Sequence, residues 1–182
     1  MFLRIAAAAA LALAFIVPAA AQSAPTPENT LVLETNKGTV EIALRPDLAP
    51  NHVERIKQLA RDGFYDGVVF HRVIDNFMAQ TGDPTGTGTG GSDYPDLKAE
   101  FTPTPYERGT VGMARAQSPD SANSQFFIMF NRVDSLDGKY TVFGEVIDGM
   151  DVVDSIKKGS RSANGQVSDP DRIESAYIAA DR

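Results

Sequence analysis

Phe70-His-Arg-Val-Ile-Asp-Asn-Phe-Met-Ala-Gln-Thr-Gly-Asp-Pro-Thr-Gly-Thr-Gly-Thr-Gly-Gly91 is the stretch on which both the fold and the chemistry turn. Val68 to Ile74 is β-branched and aromatic, as a strand requires, and Phe77 to Gln80 continues as a second strand after the Asp75-Asn76 turn. One arginine, Arg72, sits among the apolar residues of the first strand. Such an arginine faces either solvent or a cleft, and composition leaves both readings open. In a cleft, Phe77 and Met78 would supply an apolar wall and Gln80 a neutral hydrogen-bonding group. That set grips a mostly apolar group beside one fixed positive donor, and it contains no nucleophile and no evident proton shuttle. The remainder, Gly86-Thr-Gly-Thr-Gly-Gly91, formally contains the dinucleotide motif G-x-G-x-x-G. That motif needs a helix opening inside it. Ser92-Asp-Tyr-Pro95 opens none, and Asp83-Pro84 breaks the approach. The loop is read instead as backbone that needs positive φ or close approach to a neighbour.

Upstream, Leu31 to Thr35 and Thr39 to Leu44 form a hairpin about Asn36-Lys37-Gly38. Val40, Ile42 and Leu44 alternate with Glu41 and Ala43, so one face is buried. Pro50 suits the first turn of a helix that runs to about Arg61 and stops at Gly63. Val53, Ile56, Leu59 and Ala60 share its inner face, and Glu54, Lys57, Gln58 and Arg61 are a solvated outer face. Downstream, residues 82–97 and Phe101 to Arg108 are loops, and Thr110 to Ala114 is a short strand. A polar segment from Gln117 to Ser124 precedes the apolar Phe126-Phe-Ile-Met-Phe130. Tyr140 to Gly144 is a strand after the Asp137-Gly138 turn. A second helix follows and is stopped by Gly159, 159–172 is polar loop, and Ile173 to Ile178 is the last strand. Seven or eight short strands and two helices, without regular alternation, argue against a parallel doubly wound sheet. They fit a mainly β fold, a closed antiparallel barrel with two flanking helices.

The 182 residues suit one domain, with 42% hydrophobic residues to fill its core. The absence of cysteine excludes disulfides, thiolate nucleophiles and Cys-based metal sites. A formal net charge of −7 argues against a nucleic-acid partner. Residues 1–21 read as a secretory signal peptide: Arg4, the apolar run Ile5 to Val17, then an A-x-A cleavage site at Ala19-Ala20-Ala21. The run is short for a bilayer span of roughly 20 residues, although an uncleaved anchor is the alternative reading. The mature chain is then expected to begin at Gln22, with a flexible leader over 22–29 and the folded domain over 30–182. The expectation is an exported protein, periplasmic in a Gram-negative source and otherwise secreted, without stable membrane association after cleavage.

The two histidines, His52 and His71, are too few for a His-rich metal site and read as structural. No G-x-S-x-G elbow is present. No metal and no cofactor is expected.

At these residues the chain resembles the cyclophilin family of peptidyl-prolyl cis/trans isomerases. Phe70-His-Arg-Val-Ile74, Phe77-Met-Ala-Gln-Thr-Gly-Asp83 and Gly86 to Gly91 are similar to the family's central block. Arg108 to Arg115, Ser124-Gln-Phe-Phe-Ile128 and Leu136 to Gly144 are similar to its later blocks, in the family's order. The resemblance spans roughly residues 30–178 and implies an eight-stranded antiparallel barrel capped by two α-helices. It implies that Arg72 is the catalytic arginine, with Phe77 and Gln80 beside it. Met78, Phe127 and Leu136 complete the proline pocket with Phe77, and Gln125 is a polar groove residue. Gly88, Ala114, Arg115 and Ala116 are the backbone and rim that meet the peptide, and Tyr140 stands at the pocket edge where many members have histidine. The implied partners are proline-containing peptides and unfolded exported proteins, and a monomer is expected. Ser135 stands where many eukaryotic members carry a tryptophan that contacts cyclosporin, so weak cyclosporin binding is expected, which calorimetry reads directly; a tight dissociation constant would contradict it. Arg115 replaces a common asparagine and adds a positive charge beside the groove, with an expected effect on preference for the residue before proline.

Overall fold

The computed structural model describes residues 25–182. The segment read as a signal peptide and residues 22–24 of the leader lie outside the described residues. Of the leader's remainder, Pro27–Asn29 forms a 3-10 turn, and Asn29 accepts a hydrogen bond from Lys57 Nζ at 2.8 Å. In chain order the main elements are β1 (Thr30–Thr35), β2 (Gly38–Leu44), α1 (Pro50–Arg61), β3 (Arg72–Ile74), β4 (Met78–Thr81) and β5 (Thr110–Arg115). They continue with β6 (Ala122–Met129), β7 (Val142–Asp148), α2 (Met150–Ser155) and β8 (Ile173–Ile178).

The eight strands make one antiparallel sheet in the order β3-β4-β6-β5-β7-β2-β1-β8. The sheet curls into a half-barrel, and the expectation of a fully closed barrel is corrected here. The ladder is continuous from β3 to β8 but does not continue from β8 back to β3. That gap is crossed by an isolated bridge, Val69 to Arg172, and by single backbone bonds such as Gly67 N to Ile173 O and Phe70 N to Asp171 O, both 2.8 Å. The same fact shortens the strand expected over 68–74. Its first residues pair with the lead-in to β8 and its last three with β4, so the segment changes partner midway and only Arg72–Ile74 is regular strand.

The interior is filled by side chains. Phe126 lies edge-on to Tyr65 and to Phe143, with ring centroids 5.6 and 5.9 Å away, and all three are buried. Helix α1 has the expected bounds and covers the sheet with Val53, Ile56, Leu59 and Ala60. Ala49 offers its N-terminus no side-chain cap; Glu100, from a distant loop, does so instead. Its carboxylate accepts from the main-chain N–H groups of Asn51 and His52 and lies 2.6 Å from His52 Nδ1. His52 is therefore a buried structural histidine.

Three boundaries differ from expectation. β6 begins at Ala122, so the polar Ala122 to Gln125 is strand. Ala122 and Ser124 point inward, while Asn123 and Gln125 face the neighbouring loop. β7 begins at Val142. Helix α2 ends at Ser155, because Ile156 turns extended and is buried.

Gly159 has a different task from stopping a helix. The 159–167 loop lies along the free edge of β3, with Gly159 N donating to Val73 O at 2.9 Å and Val73 N donating to Gly165 O at 2.8 Å. A β-carbon at 159 would lie 1.9 Å from Gly165 O and 2.6 Å from Gln166 O, both unyielding backbone. Overpacking of this kind costs about 1–3 kcal/mol. Gly159→Ala is therefore expected to lower unfolding free energy by about 2 kcal/mol or more in urea titration, and a wild-type midpoint would show that this edge yields freely.

Candidate functional site

The register of three strands brings the site together. Arg72 pairs with Gln80 across β3 and β4, Gln80 pairs with Phe127 across β4 and β6, and Phe127 pairs with Gly112 across β6 and β5. Directly paired residues project from the same face of a sheet. Residues far apart in sequence therefore stand in one row, while Val73 and Ala79 on the opposite face are buried in the core. The hairpin joining β3 to β4 turns at Asn76, whose φ of 60° is a left-handed conformation that asparagine tolerates. The open question about Arg72 is thereby answered: its side chain is half-buried in a groove.

Three hydrogen bonds hold the guanidinium. Nη1 donates to Gln80 Oε1, Nε to the main-chain oxygen of Asn164 and Nη2 to Asn164 Oδ1, each at 3.1 Å. Burial pulls the Arg72 pKa down, with the Tyr140 phenol opposing. An arginine starts so high that it stays charged throughout the physiological range.

Beside Arg72 is a cavity of about 120 Å³ lined by Phe77, Met78, Gln80, Ala114, Arg115, Phe127, Leu136 and Tyr140. Its floor is an apolar cluster separate from the main core, built on Met78, Tyr106, Phe127, Met129 and Val142. The Tyr106 ring stacks on Phe127 with centroids 5.7 Å apart. It does so because position 112 is glycine: a β-carbon there would lie 2.4 Å from the Tyr106 hydroxyl. Tyr140 stands edge-on to Phe127 at 5.8 Å. The Arg115 guanidinium lies 4.5 Å from the Tyr140 ring centroid and donates to the carbonyls of Lys139, Ala116 and Gln117. Its donors are thus spent on the rim and on bracing Tyr140.

A larger, more polar cavity of about 560 Å³ shares Gln80, Ala114 and Arg115 with the first and adds Gly88, Ala116, Asn123 and Gln125. Gln80 Nε2 donates to Gln125 Oε1 at 2.9 Å, and Gln125 Nε2 donates to the carbonyls of Gly88 and Gly90 at 3.2 and 2.8 Å. The glycine loop is organised around Asp83. That buried carboxylate accepts from Thr85 N and Oγ1 at 2.7 and 2.8 Å, and from the main-chain N–H groups of Gly88 and Gly90 at 2.6 and 3.1 Å. The amides a nucleotide phosphate would need are therefore already committed to an internal anion. Burial alone would raise the Asp83 pKa, but these donors overcome it and hold the carboxyl at about 2.

The structure gathers all twelve residues singled out from sequence around these two adjoining cavities. Four others were not singled out: Asp83, Tyr106, Asn123 and Asn164. Asn164 had a visible signal, the Asn-Gly turn dipeptide at 164–165. A third cavity of about 230 Å³ lies on the other side of Arg72, next to His71 and Asn164. His71 is buried there, and burial keeps its pKa low against the pull of Asp83. Among the described residues, no group of three or more His, Cys, Asp or Glu side chains could hold a metal ion, and no helix is long and apolar enough to cross a membrane.

Residues 30–178 match the model of the family described as cyclophilin type peptidyl-prolyl cis-trans isomerase/CLD. The chain belongs to the cyclophilin family. It is 55% identical over an alignment 192 positions long to a probable peptidyl-prolyl cis-trans isomerase of Brucella suis biovar 1, covering 99% of this chain and 98% of the relative. A peptidyl-prolyl cis-trans isomerase of Synechococcus elongatus is 44% identical over 71% of this chain and 90% of the relative. Among solved structures, cyclophilin AquaCyp293 from Hirschia baltica superposes with a TM-score of 0.78 at 30% identity, over 87% of this chain and 76% of that one. A cyclophilin type isomerase of Cryptosporidium parvum, solved in the presence of the dipeptide Ala-Pro, gives a TM-score of 0.75 at 30% identity, over 82% and 98%. This cyclophilin is a peptidyl-prolyl cis-trans isomerase.

The depressed Asp83 pKa ties the groove to pH. A carboxyl whose folded pKa lies below its unfolded value adds stability above the unfolded pKa, near 4, and loses it as pH falls through the folded value. Asp83→Asn is expected to be less stable at pH 7, and its stability deficit relative to wild type is expected to shrink between about pH 4 and about pH 2. Parallel stability curves for the two proteins across that window would contradict the assignment.

Proposed function

We propose that this cyclophilin binds proline-containing segments across the two adjoining cavities and accelerates X–Pro rotation with Arg72. The proline ring occupies the 120 Å³ apolar cavity, between Phe77, Met78, Phe127 and Leu136, and the residues before it lie toward Gly88, Ala114 to Ala116 and Gln125. The observation that carries this reading is a guanidinium held by neutral amides at the mouth of a small apolar pocket. The Cryptosporidium parvum relative solved in the presence of Ala-Pro supports the choice of ligand.

The chemistry needs no nucleophile, because no bond is made or broken. The barrier to X–Pro rotation, ~18–20 kcal/mol, is loss of amide resonance, and the uncatalysed exchange takes tens to hundreds of seconds. Catalysis requires that the twisted amide be bound better than either planar form. On twisting, the prolyl nitrogen becomes pyramidal and gains a lone pair. Arg72 meets that developing charge with an N–H donor, or polarises the prolyl carbonyl, in a site where water is partly excluded. Phe127, fixed from behind by Tyr106, and Met78 hold the ring while the acyl side rotates. Gln80 holds the arginine and hands its orientation on from Gln125. A ~10⁵-fold acceleration requires about 7 kcal/mol of such preferential stabilisation.

The cellular role follows from the N-terminus and the chemistry together. Residues 1–21 carry a signal-peptide pattern, and proline isomerisation limits many folding reactions. The protein therefore assists folding of exported proteins in the compartment to which it is itself exported. N-terminal sequencing of protein recovered from that compartment is expected to begin at Gln22; a chain beginning at Met1 would overturn the export reading.

For the catalytic reading, Arg72→Ala is expected to lower kcat/KM on a proline peptide at least ~100-fold, or ~2.7 kcal/mol, with an unchanged far-ultraviolet spectrum. Near-wild-type turnover by the folded variant would remove Arg72 from the mechanism.

A further inference from the structure

The loop that covers β3 does something for Arg72 that strand register alone does not. Register fixes where the side chain begins, but a guanidinium on a flexible stem loses considerable rotamer entropy when it is aimed. Gln80 holds one edge. A single residue, Asn164, holds the other through two oxygens. Its main-chain carbonyl accepts from Nε and its Oδ1 accepts from Nη2, both at 3.1 Å. Two acceptors opposite Nε and Nη2 match the fork that a carboxylate ordinarily fills.

The difference from a carboxylate is charge. Among the described residues, Arg72 takes part in no ion pair within 4.0 Å. All of its protein acceptors are neutral amide oxygens, so its positive charge is left uncompensated for whatever lies in the groove. For one residue to present both oxygens to the same side, its backbone must turn sharply. Asn164 sits at φ 52°, ψ 37°, a left-handed conformation that asparagine adopts more readily than most side chains. The turn is anchored against the same strand that carries Arg72. Gly165 N donates to Ser160 O at 2.8 Å, and Gly165 O accepts from Val73 N at 2.8 Å.

We propose that Asn164 is the positioning residue of Arg72: it aims the guanidinium into the groove without neutralising it. The proposal rests on Arg72 being the catalytic group. Asn164 is not among the residues lining the cavity assigned to the proline ring, so its loss should slow rotation on the enzyme while leaving peptide binding nearly unchanged.

The test is a double-mutant cycle read by steady-state isomerisation kinetics. Asn164→Gly keeps the left-handed backbone and the main-chain oxygen and removes the side chain, and with it the Oδ1 acceptor. It is expected to lower kcat at least ~5-fold with KM within ~2-fold, and to change activity by less than ~2-fold when added to Arg72→Ala. Wild-type kcat, or an equal loss in the Arg72→Ala background, would overturn the proposal. The two failures are distinguishable. If Arg72→Ala is itself fully active, the catalytic reading falls and this inference with it. If Arg72→Ala is impaired and Asn164→Gly is not, only this inference falls. Asn164→Asp covers the case in which glycine loosens the loop. It keeps both oxygens and the turn but places a negative charge on the guanidinium, so the melting temperature is expected to hold or rise while kcat falls; wild-type kcat in that variant would also contradict the proposal.

Discussion

A buried carboxylate that forms no ion pair among the described residues is the constraint from which the groove is built. Asp83 is fully buried and remains ionised because four hydrogen bonds from Thr85, Gly88 and Gly90 replace the water it has lost. Leaving such a group unpaired would be strongly destabilising, so the loop has little freedom to fold otherwise. Once its amides point inward to Asp83, the Gly88 and Gly90 carbonyls are free to accept from Gln125. Gln125 then receives Gln80, Gln80 receives Arg72, and Asn164 closes the far end. One hydrogen-bond chain thus runs from an internal anion to a half-buried groove cation held by neutral amides.

The chain separates two tasks that conflict in most charged sites. A catalytic cation has to be fixed in place, and the strongest way to fix one is a carboxylate, which also cancels its field. Here the negative charge is spent at Asp83, behind the glycine loop, and reaches Arg72 only as oriented neutral amides. The apolar side of the site is equally divided from the main core. Tyr106, Phe127 and Met129 form their own cluster under the small cavity, with Tyr106 occupying the space that Gly112 vacates. The pocket wall is therefore backed by an aromatic pair, and in the proposed function ring binding and charge placement are carried by different parts of the sheet.

Much of this was legible in the sequence, and the parts that were not have physical reasons. The hairpin of β1 and β2, helix α1 and strand β8 follow from local periodicity and from Pro50 and Gly63, and they stand where local rules put them. Met78 and Gln80 share one face of β4 because strand alternation is a local property, whereas Phe77 reaches the same cavity from the turn before β4 and Arg72 joins them only through the register of β3. Boundaries set by distant partners were not legible. Val68 to Ile74 changes partner midway because β8, a hundred residues later, meets only its first half. The polar Ala122 to Gln125 is strand because its outward side chains have a loop to hold, which no local pattern records. Asp83 read as an interruption before Pro84, since an anion's donors are invisible until the loop closes round it. Asn164 read as loop for the same reason: its partner is ninety-two positions away.

In the proposed function a fixed, uncompensated guanidinium drives rotation while the apolar cavity supplies affinity. The most direct measurement is the on-enzyme exchange rate between cis and trans forms of a saturating Ala-Pro peptide, read by NMR exchange spectroscopy on wild type and Arg72→Lys. Lysine keeps the charge but cannot engage Gln80 and Asn164 as a planar fork. Peptide affinity is expected to stay within about threefold and on-enzyme exchange to slow at least ~10-fold, or ~1.4 kcal/mol. Exchange at the wild-type rate, or a loss confined to affinity, would contradict it.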